Sequence, residues 1–302
     1  MKLIYKVTRD LRPMMPFSFD VTFHKPAHFQ TGDNIWEPGT RWQTFWWQDK
    51  NLGVIFKNVD DKVSMEIFSN EKLEPDFINS FTNEIRYRYC LDLDLSEFYQ
   101  KFSKDKVVGK AIKNLLGMRP GHENSLYEYL IIGIVLQNCT VRRSIAMMQT
   151  LFEHYGTLLE YDGKKLWSFW QPGELRNVSV EELRSLKIGY RAKFIKRIDD
   201  YFADDLIDEF KLRGKDLEMQ KTELLKLYGV GPATVWYLLF DVFHQYDFFN
   251  HISPWEQKIY SKIFSVHGNK LIKYFDRFGK YRQLAVHYAW ENIFWQRKQG
   301  RK

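Results

Sequence analysis

The rhythm of hydrophobic and polar positions changes about a third of the way along the chain. Before that point the apolar residues come in short runs. "KLIYKVT" at 2–8 alternates, and "RWQTFWWQ" (41–48), "GVIFKNV" (53–59) and "KVSMEIFS" (62–69) are rich in β-branched and aromatic residues. Polar pieces such as "DKNL" separate them, and "WEPGTRW" reads as a Pro/Gly turn. This is the pattern of an antiparallel meander, and it predicts that the first hundred residues are β. After about residue 105 the spacing becomes helical. "SLYEYLIIGIVLQNCTVRRSIAMMQTLFEHYG" (125–156) keeps a helical period and stops at Gly156, an expected C-cap. "SVEELRSL" opens a further helix, with Ser179 and Glu182 spaced as a capping box. "GYRAKFIKRIDDYFAD" is basic and amphipathic, and "SPWEQKIYSKIF" and "YRQLAVHYAWENIFWQRK" supply the last helices. The expected fold is α+β: an N-terminal antiparallel β domain over 1–104, then a mostly helical domain over 105–302 divided by a cleft.

Bulk properties narrow the class. The chain has 302 residues with a formal charge of +7, and 17% of it is aromatic. A basic, aromatic-rich protein suits polyanionic partners and base stacking, although packing alone can account for the aromatics. Cys90 and Cys139 are the two cysteines, too few for a disulfide framework or a four-thiolate cluster. The start, "MKLIYKVTRDLRP", lacks a signal-peptide core, and no run has the length of a membrane span. A cytoplasmic protein, or a nuclear one in a eukaryote, is expected.

The most informative segment is "LLKLYGVGPATVWYLL" at 224–239. A helix stops at Gly229, Gly231 permits a reversal, and Pro232 restarts a helix at its first turn. The amides of Gly229, Val230 and Gly231 are placed to hold a phosphate without reading sequence. Trp236 and Tyr237, just beyond, are assigned to the core.

This hairpin resembles the helix-hairpin-helix of a DNA glycosylase superfamily that includes 8-oxoguanine glycosylase and 3-methyladenine glycosylase II. Three further stretches agree in order: "LLGMRPGHENSLYEYLIIGIVLQNCTVRRS" (115–144), "LRSLKIGYRAKFI" (183–195) and "RFGKYRQLAVHYAW" (277–290). The β-meander corresponds to the N-terminal domain of those two enzymes. The resemblance implies double-stranded DNA with a damaged base or an abasic site as partner, bound by a monomer that flips the base. Asn138 falls on the position that fills the gap in the stack. Arg143, Tyr190 and Arg191 fall where the orphaned partner base is contacted. Trp290 falls on a position facing the flipped base. No cofactor or metal chemistry is implied, apart from a monovalent ion that hairpin carbonyls can hold. Lys193, Lys196, Arg197 and the tail "QRKQGRK" are candidate phosphate contacts, so duplex affinity is expected to fall steeply with salt.

Two departures define the chemistry. Bifunctional members carry a lysine just after the hairpin that forms a Schiff base; here that position is Ala233, which argues against lyase activity by that route. Members also place an aspartate at the cap of the next helix. Here "FNHISPWEQK" (249–258) has serine: Ser253 at N-cap, Pro254 at N1 and Glu256 at N3 form a capping box. Serine keeps the cap but not the charge. Losing one preorganised group of this kind costs about 3–4 kcal/mol of transition-state stabilisation. Ser253, Glu256 and His251 are therefore the candidate catalytic residues, with Asn250 and Asp247 as alternatives. The function implied is a monofunctional glycosylase of base-excision repair acting on alkylated or oxidised bases. The alternative is a silent binder of damaged or abasic DNA. The β-domain segment that helps read oxidised guanine is not recognisable in "FQTGDNIWEPGTRW".

Overall fold

Alternation becomes a sheet. β1 (Tyr5–Leu11) is followed by a short helix, α1 (Phe19–Phe23), and then by β2 (Asn34–Glu37), β3 (Thr40–Trp47), β4 (Lys50–Val59) and β5 (Lys62–Ser69). The strands are antiparallel in the order β1-β5-β4-β3-β2. The computed structural model describes residues 1–300 other than 61, 250, 251, 253 and 269. On β5, Val63, Met65 and Ile67 are buried while their neighbours are less so, the period-two pattern of a strand with one dominant core face. On β4 the run Leu52–Phe56 is buried throughout, because the sheet is covered on both faces.

One cover is helical. α2 (Pro75–Arg88) lays Ile78, Phe81 and Ile85 against Phe45, Phe56 and Met65. The other is a hairpin that the sequence reading did not anticipate. β6 (Thr157–Tyr161) and β7 (Lys164–Ser168) set Leu159, Tyr161 and Leu166 against Trp42 and Ile55. Its turn is Asp162–Gly163, both with positive φ, as a two-residue hairpin loop requires. Gly53 makes room for it, since a Cβ there would stand 2.5 Å from the Tyr161 ring.

The expectation of β throughout the first hundred residues is corrected by α2 and by α3 (Ser96–Phe102). The helical part continues with α4 (Val108–Asn114), α5 (Leu126–Leu136), α6 (Val141–Tyr155), α7 (Val180–Leu183), α8 (Arg191–Ala203), α9 (Glu209–Arg213) and α10 (Leu217–Leu225). It closes with α11 (Pro232–Asp241), α12 (Pro254–Phe264), α13 (Lys270–Phe275) and α14 (Arg282–Lys298). Two helical cores result. Residues of α5, α6, α8, α10 and α11 build one; residues of α3, α4 and α12 to α14 build the other. α11 joins them, with Val235 and Leu239 in the first and Trp236 in the second. The sheet core ends at Leu91, and Leu95 already belongs to the second helical core. No helix among the described residues is long and apolar enough to cross a membrane.

Three local details bear on the site. The 125–156 stretch is two helices, broken at 137–140, where Asn138 has φ +49°. α5 begins with a complete capping box between Ser125 and Glu128. Gly156 does cap α6, but in an extended conformation (φ −75°); it is glycine because a Cβ would sit 2.7 Å from the Phe152 carbonyl oxygen and 2.8 Å from that of Ser168. Of the expected Ser179–Glu182 box, the half in which the serine hydroxyl accepts from the Glu182 N–H is present, at 3.0 Å.

Candidate nucleic-acid interface and base cavity

The hairpin forms between α10 and α11 as its glycines suggest, with one change of role. Gly229 carries the reversal, at φ +88°, and a Cβ there would meet the Phe194 ring at 2.9 Å. Gly231 has φ −103° and simply caps α11, with open space where a Cβ would be. Glycine at 231 is thus not demanded from within, and its open side suits close approach from outside. Val230 is buried and anchors the turn. Gly229→Ala is expected to cost about 1–3 kcal/mol, from the strained dihedral and the ring contact together. Urea unfolding would measure that loss, and Gly231→Ala would serve as the comparison that leaves stability nearly unchanged.

A second corner faces the same way. Between α5 and α6 the chain turns at Asn138, whose amide lies 3.4 Å from the Tyr190 hydroxyl. Asparagine is among the residues that tolerate a left-handed backbone, so its type here has a local cause as well as any external one. Tyr190 precedes α8, is 46% exposed, and packs edge-on against Phe194. Phe194 in turn touches Tyr228 of the hairpin, and Lys193 and Arg197 lie over the Tyr228 ring at 5.2 and 4.6 Å. Arg143 is exposed at the start of α6, with its guanidinium 3.5 Å from the Lys187 carbonyl. Lys196 differs from its neighbours: it is ion-paired to Asp200.

Arg191 is placed differently from Arg143. It is 6% exposed and its guanidinium donates to the carbonyls of Ile134 and Gln137. Both lie at the C-terminal end of α5, where carbonyls run out of full intrahelical partners. Arg191 therefore fastens the Asn138 corner to α8 in this structure, instead of presenting its fork at the surface as Arg143 does.

Beside this corner opens a cavity of about 450 Å³. Its walls come from distant parts of the chain: Lys25, Ala27 and His28 after α1; His122 and Glu123 before α5; Ile132, Leu136 and Gln137 at the end of α5; Ala233, Thr234, Tyr237 and Asp241 on α11; and His287 on α14. Gln137 lines the cavity while Asn138, the next residue, stands on the surface, so the corner forms the rim. Ala233 places a methyl group on the wall, with no nucleophile.

The polar lining is held by internal bonds. Burial lowers the His28, His122 and His287 imidazoles, His122 to about 3, so all three are neutral at pH 7. Burial opposes ionisation of Glu123, but the Arg41 guanidinium 2.6 Å away, together with His28, His122 and a backbone hydrogen bond, outweighs it and holds the carboxyl at about 2. Asp241 is pushed up to about 6 by burial, against the hydroxyl of Tyr129, which donates to it. Lys25 donates to the Gly121 carbonyl, and burial lowers it while Glu291 opposes. Behind the lining, Glu291 accepts from the Ala27 N–H at 2.8 Å, and burial raises it to about 7. Among the described residues, no group of three or more His, Cys, Asp and Glu side chains is arranged to hold a metal ion. Of the hairpin carbonyls, that of Gly229 accepts from Gln137 at 3.3 Å.

The remaining expectations divide. Ser253, His251 and Asn250 lie outside the described residues. Pro254 opens α12 and Glu256 is buried on it, its Oε1 accepting from the Tyr237 hydroxyl at 2.6 Å. Asp247 is exposed in the preceding loop. Trp290 does not line the cavity. It is half-buried, against Tyr260 and Phe294, and His287, one turn earlier on α14, takes the cavity face. Tyr237, assigned to the core from sequence, is 40% exposed and lines the cavity, whereas Trp236 is indeed core. The Lys25–His28 wall was missed, since nothing local marks it.

With this geometry in hand, the chain can be set beside known proteins. No family model matches it. It is 22% identical over 198 residues to the DNA-3-methyladenine glycosylase of Bacillus subtilis, covering 62% of this chain and 65% of that protein. It is 25% identical over 199 residues to a probable N-glycosylase/DNA lyase of Methanothermobacter thermautotrophicus, covering 60% and 63%. The chain thus spans less than two thirds of the length of these curated relatives. Among solved structures, MBOgg1 in complex with a low-affinity DNA ligand superposes with a TM-score of 0.75 at 23% identity, over 97% of this chain and 96% of that one. The chain has the fold of the helix-hairpin-helix DNA glycosylases. The proteins it resembles in sequence are DNA glycosylases as well.

Proposed function

We propose that the chain is a monofunctional DNA N-glycosylase of base-excision repair, which flips an alkylated or oxidised base from duplex DNA and hydrolyses its glycosidic bond. One observation carries this reading: the cavity and the exposed Asn138–Arg143–Tyr190 corner share a rim at Gln137 and Asn138. A base leaving the stack beside Asn138 would enter the cavity directly. Tyr190 and Arg143 would meet its former partner, and the hairpin amides, with Lys193 and Arg197, would hold the backbone. The cavity volume suits one base and part of its sugar. Ala233 offers no amine to the sugar, which supports simple hydrolysis over strand cleavage.

The test is base release from labelled duplexes carrying alkylated adenine, 8-oxoguanine, hypoxanthine or uracil, with and without mild alkali. Release of one base, with strand breaks only after alkali, is expected. Breaks without alkali would require an amine elsewhere. The serine at position 253, where a carboxylate would serve, favours the second reading of a silent damage binder; tight binding with no release from any duplex would establish it.

A further inference from the structure

The reaction proposed above needs a group that can take a proton from water, or face the positive charge on C1′, at the cavity wall. Most acids there are occupied. Glu123 is paired with Arg41, Asp241 accepts from Tyr129, and Asp33 accepts from Thr31 and Gln43. Tyr237 is different. It lies one helical turn beyond Ala233 on α11, lines the cavity, and is 40% exposed. Its hydroxyl donates to Glu256 Oε1 at 2.6 Å. Glu256 is 5% exposed and is not among the cavity-lining residues, and the Tyr260 hydroxyl, one turn further on α12, bonds to it too. Burial, and then the Glu256 charge, keep the Tyr237 phenol protonated. Its proton is thus committed to the carboxylate, while the lone pairs of its oxygen remain for the cavity. A phenol bonded to a buried anion carries extra negative charge on oxygen.

Resting on the glycosylase reading, we propose that Tyr237 is a catalytic residue and Glu256 its positioning partner. Water in the cavity bonds to Tyr237 Oη. As the C1′–N bond breaks, its electron pair goes to the base nitrogen. The water oxygen bonds to C1′, its proton passes to Tyr237 Oη, and the phenolic proton passes to Glu256 Oε1. Glu256 later returns that proton to solvent. The polarised oxygen also faces the positive charge that C1′ gains at the transition state. A carboxylate outside the cavity thereby acts inside it, through one side chain.

The experiment is single-turnover base release from the lesion that the wild-type protein processes fastest, alongside affinity for an abasic duplex. Tyr237→Phe removes the oxygen and keeps the ring. The release rate is expected to fall about 30- to 300-fold, with affinity within about threefold of wild type. Glu256→Gln is expected to fall similarly, and the double variant no further than either single one, because the two residues act as a unit. The wild-type solvent isotope effect is expected to disappear in Tyr237→Phe. A purely structural role would instead lower affinity and melting temperature together and leave the isotope effect. Release by Tyr237→Phe within threefold of wild type, or additive losses in the double variant, would overturn the assignment and leave the glycosylase reading standing. A wild-type protein that releases no base would overturn that reading itself, and this one with it.

Discussion

Replacing Arg41 with methionine is expected to cost about 3–5 kcal/mol of folding stability, the range for removing one partner of a buried ion pair. Arg41 is 1% exposed on β3. Its guanidinium donates to Glu123 Oε1 at 2.6 Å, to Gln43 Oε1 at 2.7 Å and to the Phe23 carbonyl. It therefore ties the sheet to the end of α1, just before the Lys25–His28 wall, and to the segment leading into α5, which lines the cavity as well. Methionine fills similar volume, so the loss measures the stranded acceptors and not a void. A second readout follows from Glu123. Its folded-state pKa is depressed from an ordinary 4.5 to about 2. That contributes stability which is present above pH 4.5 and is lost as pH falls toward 2. In Arg41→Met this acid limb should flatten, and Arg41→Met/Glu123→Gln should recover part of the stability at pH 7. Denaturant titrations at pH 7 and pH 3.5 check both. A loss below 1 kcal/mol would mean the pair is not what joins sheet to helices.

What was legible in the sequence is what local periodicity encodes. The strands follow from alternation, and the hairpin follows from Gly229, Gly231 and Pro232 between two apolar helices. The α+β order follows from the change of rhythm. The β6–β7 hairpin was equally legible, because Asp162–Gly163 between "TLLEY" and "KKLWS" is a strong turn signal, yet a helical context obscured it. Other features were out of reach for a physical reason: they depend on partners far away in sequence. Arg191 is inside because the carbonyls of Ile134 and Gln137, more than fifty residues earlier, come to it. Lys25 and Ala27 reach the cavity by contacts with Gly121 and Glu291. On α14, His287 and Trp290 are three positions apart, an offset of about 60° around the helix, and that offset decides which of them faces the cavity. Tyr237 had the same ambiguity on α11. Its exposure depends on the cavity, which no local pattern announces.

Glu291 should make stability fall as pH rises through neutrality, opposite in sign to Glu123. Buried on α14 and accepting from the Ala27 N–H, it has its pKa raised from an ordinary 4.5 to about 7. A carboxyl that is more basic when folded contributes stability fully present below pH 4.5 and lost as pH rises through 7. The shift corresponds to about 3 kcal/mol at alkaline pH, at roughly 1.4 kcal/mol per pKa unit. Glu291→Gln, which keeps an oxygen for the Ala27 N–H, should therefore match wild type near pH 5 and exceed it by about 2–3 kcal/mol near pH 8.5. Urea midpoints across that range test the sign: a variant less stable than wild type at pH 8.5 would show that attraction to Lys25 outweighs burial. The site has a stake in the answer. Lys25 lines the cavity near this carboxyl, and burial makes both groups hold a charge less readily than they would in water. As Glu291 loses its proton near pH 7, the charge beside Lys25 drops by one where a flipped base would lie. A base that is itself cationic gains from that change, and a neutral one with acceptor atoms loses. On the glycosylase reading, the balance of release between an alkylated purine and 8-oxoguanine should accordingly shift toward the alkylated base from pH 6 to pH 8; Asp241, which lines the cavity and is pushed up to about 6, adds to that shift, so Glu291→Gln should reduce it without abolishing it.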